Sequence, residues 1–144
     1  MDFEGLLRLL SDRGIKFIVV GGVACALNGF VRATEDVDIL IETSEANITS
    51  MLNTLREWGE GFARELDLSD FSTSPGAVRL IEDFPLDIFT MLDEKTYEEL
   101  LPQTKVTEQG IVYLNHVALI DIKKKSMREK DRIDALALKK LSNT

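Results

Sequence analysis

The sequence of 144 residues contains only one cysteine and one histidine, residue types on which disulfides, zinc sites and many nucleophilic sites depend. Its one cysteine, Cys25, excludes an intrachain disulfide framework and predicts a reducing compartment, the cytoplasm. Cys25 itself is expected to be a small buried residue of a helix. Its one histidine, His116, argues against a histidine-based zinc site and a histidine-dependent nucleophilic triad. No apolar run approaches the roughly 18 residues that span a bilayer, so no membrane contact is expected.

Several nucleotide-binding signatures are also absent from the sequence. There is no G-x-x-x-x-G-K-[ST] and no G-x-G-x-x-G, which argues against a P-loop protein and a dinucleotide-binding fold. The N-terminal segment has no basic region, so it is interpreted as a helix and not as a signal peptide. The net charge of −8 disfavours a surface coated for nucleic acid, although residues 123–144 carry eight Lys or Arg against three Asp or Glu.

The hydrophobic pattern predicts one domain over residues 1–144, of the α/β or α+β class, with a small mixed sheet flanked by helices and with helices at the C-terminal end. The expected helices are Phe3 to Leu10, Gly22 to Leu27, a segment from Thr43 or Ser44 to about Trp58, one capped by Asp93, one from His116 to about Lys125, and Arg128 to Leu141. The expected strands are Ile15 to Val20, Asp36 to Ile41, Ala77 to Ile81 and Leu86 to Thr90, with a hairpin within Lys105 to Leu114.

Carboxylates on two of the predicted strands are the first candidate site. Asp36 and Asp38 alternate with Val37 and Ile39, so both acids project from one face while the aliphatic residues enter the core. Asp87 lies mid-strand among apolar residues, where an uncompensated charge is costly. A Mg²⁺ or Mn²⁺ ion, which prefers hard oxygen ligands, would compensate all three. Solvated edge acids and a turn cap are the alternative interpretation of the same pattern.

Residues around the acids add a second group of candidates. Gly21 and Gly22 join a strand to a helix, where free backbone N–H groups can approach a phosphate closely. Arg32 could pair with a phosphate or brace a carboxylate, and Thr34 could fix the loop before the acids. Lysines of the basic C-terminal segment could neutralise triphosphate charge. A tight turn, a surface arginine and a solvated helical face are the ordinary explanations of these features.

Taken together and in this order, these motifs resemble the nucleotidyltransferase superfamily with the DNA polymerase β-like fold. The chain is most similar to the small bacterial group related to AbiEii-type toxins and the minimal nucleotidyltransferases. The shared pattern is strand, Gly-Gly, helix, R-x-T-x-D-x-D, a later strand Asp, and K…R-x-K-D-x-x-D. In this chain it corresponds to Gly21, Gly22, Arg32, Thr34, Asp36, Asp38, Asp87, Lys123, Arg128, Lys130, Asp131 and Asp134.

The resemblance implies an enzyme that moves a nucleoside monophosphate from an NTP to an acceptor and releases pyrophosphate. Asp36, Asp38 and Asp87 would bind Mg²⁺ or Mn²⁺, and Asp87 would help to activate the acceptor hydroxyl. The nucleotide would be held by Gly21, Gly22, Arg32, Thr34, Lys123, Lys130 and Asp131. The acceptor is left open between a protein side chain, a tRNA 3′ end and a small molecule.

Two other interpretations are kept beside the enzyme. One is a non-catalytic nucleotide- or partner-binding module of the same fold, for example a component of a toxin–antitoxin pair with a partner protein. The other is a structural scaffold without a ligand, which predicts that the three aspartates do not converge.

Overall fold

The computed structural model describes residues 3–30, 34–71, 77–82, 84–124 and 136–139. Its helices are α1 (Phe3–Asp12), α2 (Gly21–Leu27), α3 (Glu45–Leu55), α4 (Tyr97–Leu100) and α5 (His116–Lys124). Its strands are β1 (Phe17–Val20), β2 (Val37–Ile41), β3 (Ala77–Ile81), β4 (Pro85–Phe89), β5 (Thr104–Val106) and β6 (Val112–Leu114). Within these ranges, no helix has both the length and the apolar character needed to cross a bilayer.

All six strands belong to one mixed sheet, in the order β3-β4-β2-β1-β6-β5. β2 pairs in parallel with β4 and antiparallel with β1, so the two acid-bearing strands are neighbours at the centre of the sheet. β1 pairs in parallel with β6, while β3 and β5 pair antiparallel with β4 and β6. The predicted class, a mixed sheet flanked by helices, is therefore confirmed.

The central strands are buried on both faces except where β2 begins. Every residue of β1 is buried, and so are Ile39, Leu40 and Ile41 of β2, which alternate between the two faces. Asp38, on the same face as Leu40, is only partly buried. One face of the sheet therefore becomes accessible at the start of β2, and this is where the acidic residues lie. Cys25 is fully buried in α2, as predicted.

Asn47 ties the beginning of α3 to two strands of the sheet. Its side-chain Oδ1 accepts a hydrogen bond from the Lys16 backbone N–H at 2.8 Å. Its Nδ2 donates to the Lys16 carbonyl at 3.0 Å and to the Glu42 carbonyl at 2.8 Å. Asn47 is buried, so these bonds satisfy the polar atoms of its side chain where water has little access.

We expect Asn47→Ala to lower the free energy of unfolding by about 2–3 kcal/mol, because a buried side chain loses three hydrogen bonds to the backbone. Asn53 is the matched control, since it is exposed on the same helix and its side chain accepts a surface hydrogen bond from Arg56. Asn53→Ala should change stability by less than about 0.5 kcal/mol. Urea unfolding of both variants measures the difference, and equal values would contradict this role of Asn47.

Several predicted element boundaries are wrong. The helix expected to reach Trp58 ends at Leu55, and two short 3₁₀ helices, Phe62–Glu65 and Leu68–Phe71, follow it. The cap of α4 is Thr96 and not Asp93: the Thr96 hydroxyl accepts from the backbone N–H of Glu99, and the Glu99 carboxylate accepts from the backbone N–H of Thr96. Most of the predicted last helix, Arg128 to Leu141, lies outside the described residues, although residues 136–139 are helical.

Candidate metal centre

Asp36, Asp38 and Asp87 come together at the accessible start of β2. Each of the three contributes a carboxylate oxygen, and these oxygens lie within 4.8 Å of one another. The side chain of Asp87 is 11% exposed and that of Asp36 is 33% exposed. The expectation that the three acids converge is therefore confirmed, and the separation that the scaffold interpretation predicts is not observed.

The sheet register places the acids in this arrangement. Asp38 of β2 lies directly opposite Asp87 of β4, and Val20 of β1 lies opposite Asp38 on the other side. Neighbouring strands are about 4.8 Å apart, so side chains in register on one face meet. Asp36, two residues before Asp38, projects from the same face. Like charges directly opposite each other destabilise a sheet unless a cation offsets them.

Arg79 of β3 continues the row of paired residues formed by Val20, Asp38 and Asp87. It lies opposite Asp87 in the pairing of β3 with β4. Its Nε donates to Asp87 Oδ1 at 2.8 Å and its Nη2 donates to Asp87 Oδ2 at 2.9 Å. The same Nη2 also donates to Asp36 Oδ2 at 3.3 Å. One guanidinium therefore bridges two of the three carboxylates.

The three carboxylates raise the pKa of Arg79. Its hydrogen bonds to Asp87 are the largest cause that raises the pKa of the guanidinium, and the negative charge of Asp87 comes next. The charges of Asp36 and Asp38 raise this pKa further. Arg79 thus carries a positive charge into the site.

Gly21 forms the wall of the site beside Asp38. Its φ of +65° lies in the left-handed region, which favours glycine. A Cβ atom at this position would lie 2.9 Å from Asp38 Cγ and closer still to Asp38 Oδ2. The absence of a side chain is therefore a condition for the position of the Asp38 carboxylate. This close approach links Gly21 to the acids as well as to the strand–helix turn.

The donor set fits a divalent cation. Three carboxylates offer hard oxygen ligands, the type that Mg²⁺ and Mn²⁺ prefer. Oxygens that lie within 4.8 Å of one another are close enough for side-chain rotations to bring them onto one ion.

The structure locates only some of the other predicted binding residues. Gly22 lies in the first turn of α2, and Thr34 is half-buried in the loop before Asp36. Lys123 lies in α5, but its side chain is outside what the structure describes. Three further predicted residues, Arg32, Lys130 and Asp131, lie outside the described residues. The nucleotide-binding roles of all of these stay predictions.

Arg79 is the site residue that the sequence interpretation did not find. The signal was present, because the two predicted strands Ala77 to Ile81 and Leu86 to Thr90 flank a turn near residue 83. In the observed hairpin Ile81 pairs with Pro85 and Leu80 with Leu86, which places Arg79 opposite Asp87. Counting outward from the turn would have found a cation beside the third acid.

Comparison with known proteins supports the fold. No protein-family model and no curated protein sequence matches the chain. The structure is similar to the crystal structure of a proposed nucleotidyltransferase from Thermotoga maritima, with a TM-score of 0.58 and 19% sequence identity. The alignment covers 99% of this chain and 93% of that one. At this identity the similarity establishes a nucleotidyltransferase-like fold. The placement near AbiEii-type toxins stays a prediction.

Proposed function

We propose that this chain is a divalent-metal-dependent nucleotidyltransferase that transfers an NMP group from an NTP to an acceptor hydroxyl or phosphate. The observation that carries the proposal is the meeting of Asp36, Asp38 and Asp87 on adjacent strands of a sheet with this fold. Arg79 brings one positive charge to three carboxylates, and a bound divalent cation would balance the negative charge that remains.

In the proposed reaction, the acceptor oxygen forms a bond to the α-phosphorus of the NTP. The bond from the α-phosphorus to the oxygen that bridges to the β-phosphorus breaks, and pyrophosphate leaves. Bound Mg²⁺ or Mn²⁺ supplies activation of the attacking oxygen and neutralisation of the triphosphate charge. Asp36 and Asp38 would hold the metal, and Asp87 would complete the ligand set and accept the proton of an acceptor hydroxyl.

The chain provides further groups on the nucleotide side of this proposal. Gly21 is proposed, on the resemblance, to hold the triphosphate at the strand–helix turn. Gly22, Arg32, Thr34, Lys123, Lys130 and Asp131 are proposed, on the resemblance, to contact the nucleotide. We also propose that residues 1–144 form one domain, since strands from Phe17 to Leu114 share one sheet. A cytoplasmic location and a toxin–antitoxin role stay predictions.

A panel of the four NTPs, each with and without MgCl₂ or MnCl₂, tests the proposal by thermal shift and by pyrophosphate release. An NTP at about 100-fold excess over its Kd stabilises the folded state by about 2.7 kcal/mol. For a chain of this length that corresponds to a rise in Tm of roughly 8 °C. We expect the rise to require the metal and to be accompanied by pyrophosphate release when a suitable acceptor is present.

The same panel distinguishes the enzyme from the non-catalytic module. Stabilisation by an NTP that does not depend on metal, without pyrophosphate release for any acceptor class, would favour the module. A protein side chain, an RNA 3′ end and a small hydroxyl compound represent the three acceptor classes.

A further inference from the structure

We propose that Arg79 is an internal counter-ion of the three-carboxylate site, which competes with the divalent metal and must release its hydrogen bonds when the metal binds. The inference rests on the metal-binding part of the proposed function and not on nucleotidyl transfer. It makes Arg79 a positioning residue that sets how readily the site accepts a metal.

The first argument is that Arg79 and a metal would use the same oxygen atoms. Nε and Nη2 of Arg79 contact both carboxylate oxygens of Asp87, at 2.8 and 2.9 Å. Nη2 also contacts Asp36 Oδ2 at 3.3 Å, so it lies between two of the three proposed metal ligands. A metal that joins Asp36 to Asp87 requires these oxygens at roughly 2.0–2.6 Å. The bridging Nη2 and the ion are therefore rivals for one position.

Electrostatics gives the second argument. A guanidinium carries a full positive charge, and its repulsion of a divalent ion a few ångströms away grows in a site that water only partly fills. Asp87 is largely buried, so solvent screens the interaction incompletely on that side. The repulsion falls sharply if the guanidinium moves outward while the metal takes over the carboxylates.

Arg79 is free to make this movement. Its side chain is 52% exposed, and β3 is the last strand in the order of the sheet. The guanidinium is held by Asp36 and Asp87 alone in the hydrogen bonds that involve its side chain among the described residues. Rotation of its long side chain toward solvent would therefore break these bonds without disturbing the strand pairing.

Titration with Mn²⁺ alone, followed by calorimetry, tests the inference without any nucleotide. Arg79→Met keeps the aliphatic stem and removes the charge, and we expect it to bind Mn²⁺ about tenfold more tightly than the wild type. Arg79→Lys keeps the charge without the two-pronged geometry and should have an intermediate Kd. Arg13→Met is the matched control, because Arg13 is 49% exposed and pairs with Glu57 at 3.1 Å. It should bind Mn²⁺ like the wild type.

A second measurement follows the hydrogen bonds directly. In ¹⁵N-labelled wild-type protein, the Nε–H signal of Arg79 is assigned by its loss in Arg79→Met. We expect this signal to move when diamagnetic Mg²⁺ is added, as the bond to Asp87 Oδ1 breaks. The Nε–H signal of Arg13 should not move.

The outcomes separate this inference from the proposed function. Equal or weaker Mn²⁺ binding by Arg79→Met would overturn the competition while leaving the metal site in place. An Arg79 signal unchanged at saturating Mg²⁺ would also overturn it, since the metal would then bind beside an intact ion pair. If neither the wild type nor Arg79→Met binds Mn²⁺ at millimolar concentration, the metal centre itself is wrong and both proposals fail.

Discussion

Asp38→Asn is expected to reduce metal-dependent pyrophosphate release by roughly 10³-fold or more, because the variant loses a negatively charged ligand without losing volume. Asp36→Asn is expected to act in the same direction. The effect should appear in kcat as well as in kcat/KM, since the metal stabilises the charge that develops in the transition state. Steady-state kinetics with MgCl₂ and the NTP selected by the panel measures the loss.

Stability measurements distinguish this loss from unfolding. Asp38 lies opposite Asp87, so its neutralisation removes a repulsion within the sheet. The Tm of Asp38→Asn without metal should equal or exceed that of the wild type, while the rise in Tm on adding Mg²⁺ should disappear. Asp12→Asn makes the same change of charge at an exposed position of α1 and should leave both quantities unaltered. Retained Mg²⁺ stabilisation in Asp38→Asn would show that the ligand set has been assigned wrongly.

Gly21→Ala is expected to abolish Mg²⁺-dependent stabilisation and to lower the free energy of unfolding. The new Cβ meets the carboxylate end of Asp38, and rotation of that side chain is the easiest relief. The Asp38 carboxylate then moves away from Asp87, so the substitution weakens metal binding. An alanine in the left-handed conformation adds about 1–2 kcal/mol of strain.

Gly14 provides the matched control for this substitution. Its φ is +74°, close to that of Gly21, but no atom lies within 4 Å of an added Cβ. Gly14→Ala should therefore show the conformational cost of about 1–2 kcal/mol and keep the full response to Mg²⁺. Chemical unfolding and thermal shift with MgCl₂ measure the two effects separately. Equal metal responses in the two variants would exclude the contact with Asp38 as the reason for glycine at position 21.

The positions of Asp36, Asp38 and Asp87 show which part of a site the periodicity of a strand can predict. The alternation of acid and aliphatic residues predicts Asp36 and Asp38 on one face and Val37 and Ile39 in the core. Val37 and Ile39 are indeed fully buried. A period of two residues is a local property of an extended chain, so the sequence contains it. Asp83 and Asp93 lie near Asp87 in the sequence, so residue type alone does not select the third acid of the cluster. Its place depends on β2 pairing with β4, which is a long-range contact.

The errors in the helices have a local cause. Asp93 resembles a helix cap by residue type, yet it and Glu94 adopt positive φ values of 51° and 60° in a turn that precedes the true cap. The S/T-x-x-E signature from Thr96 to Glu99 was present and predicts the observed start of α4. The early end of α3 at Leu55 is also local, because the backbone N–H groups of Glu57 and Trp58 donate to carbonyls only three residues back and Gly59 adopts a φ of +60°.

The sequence by itself determined the class of the fold, the buried strands and the shared face of Asp36 and Asp38, since each follows from the spacing of apolar and charged residues along a few turns or strands. Only the tertiary structure decided that Asp87 completes the cluster, that Arg79 bridges it, and that Gly21 lies against Asp38. The hairpin alone places Arg79 opposite Asp87, but the three facts together depend on the register of β2 with β4 and of β1 with β2, strands that no tight turn joins. Register is fixed by packing of the whole sheet, so no local pattern specifies it alone.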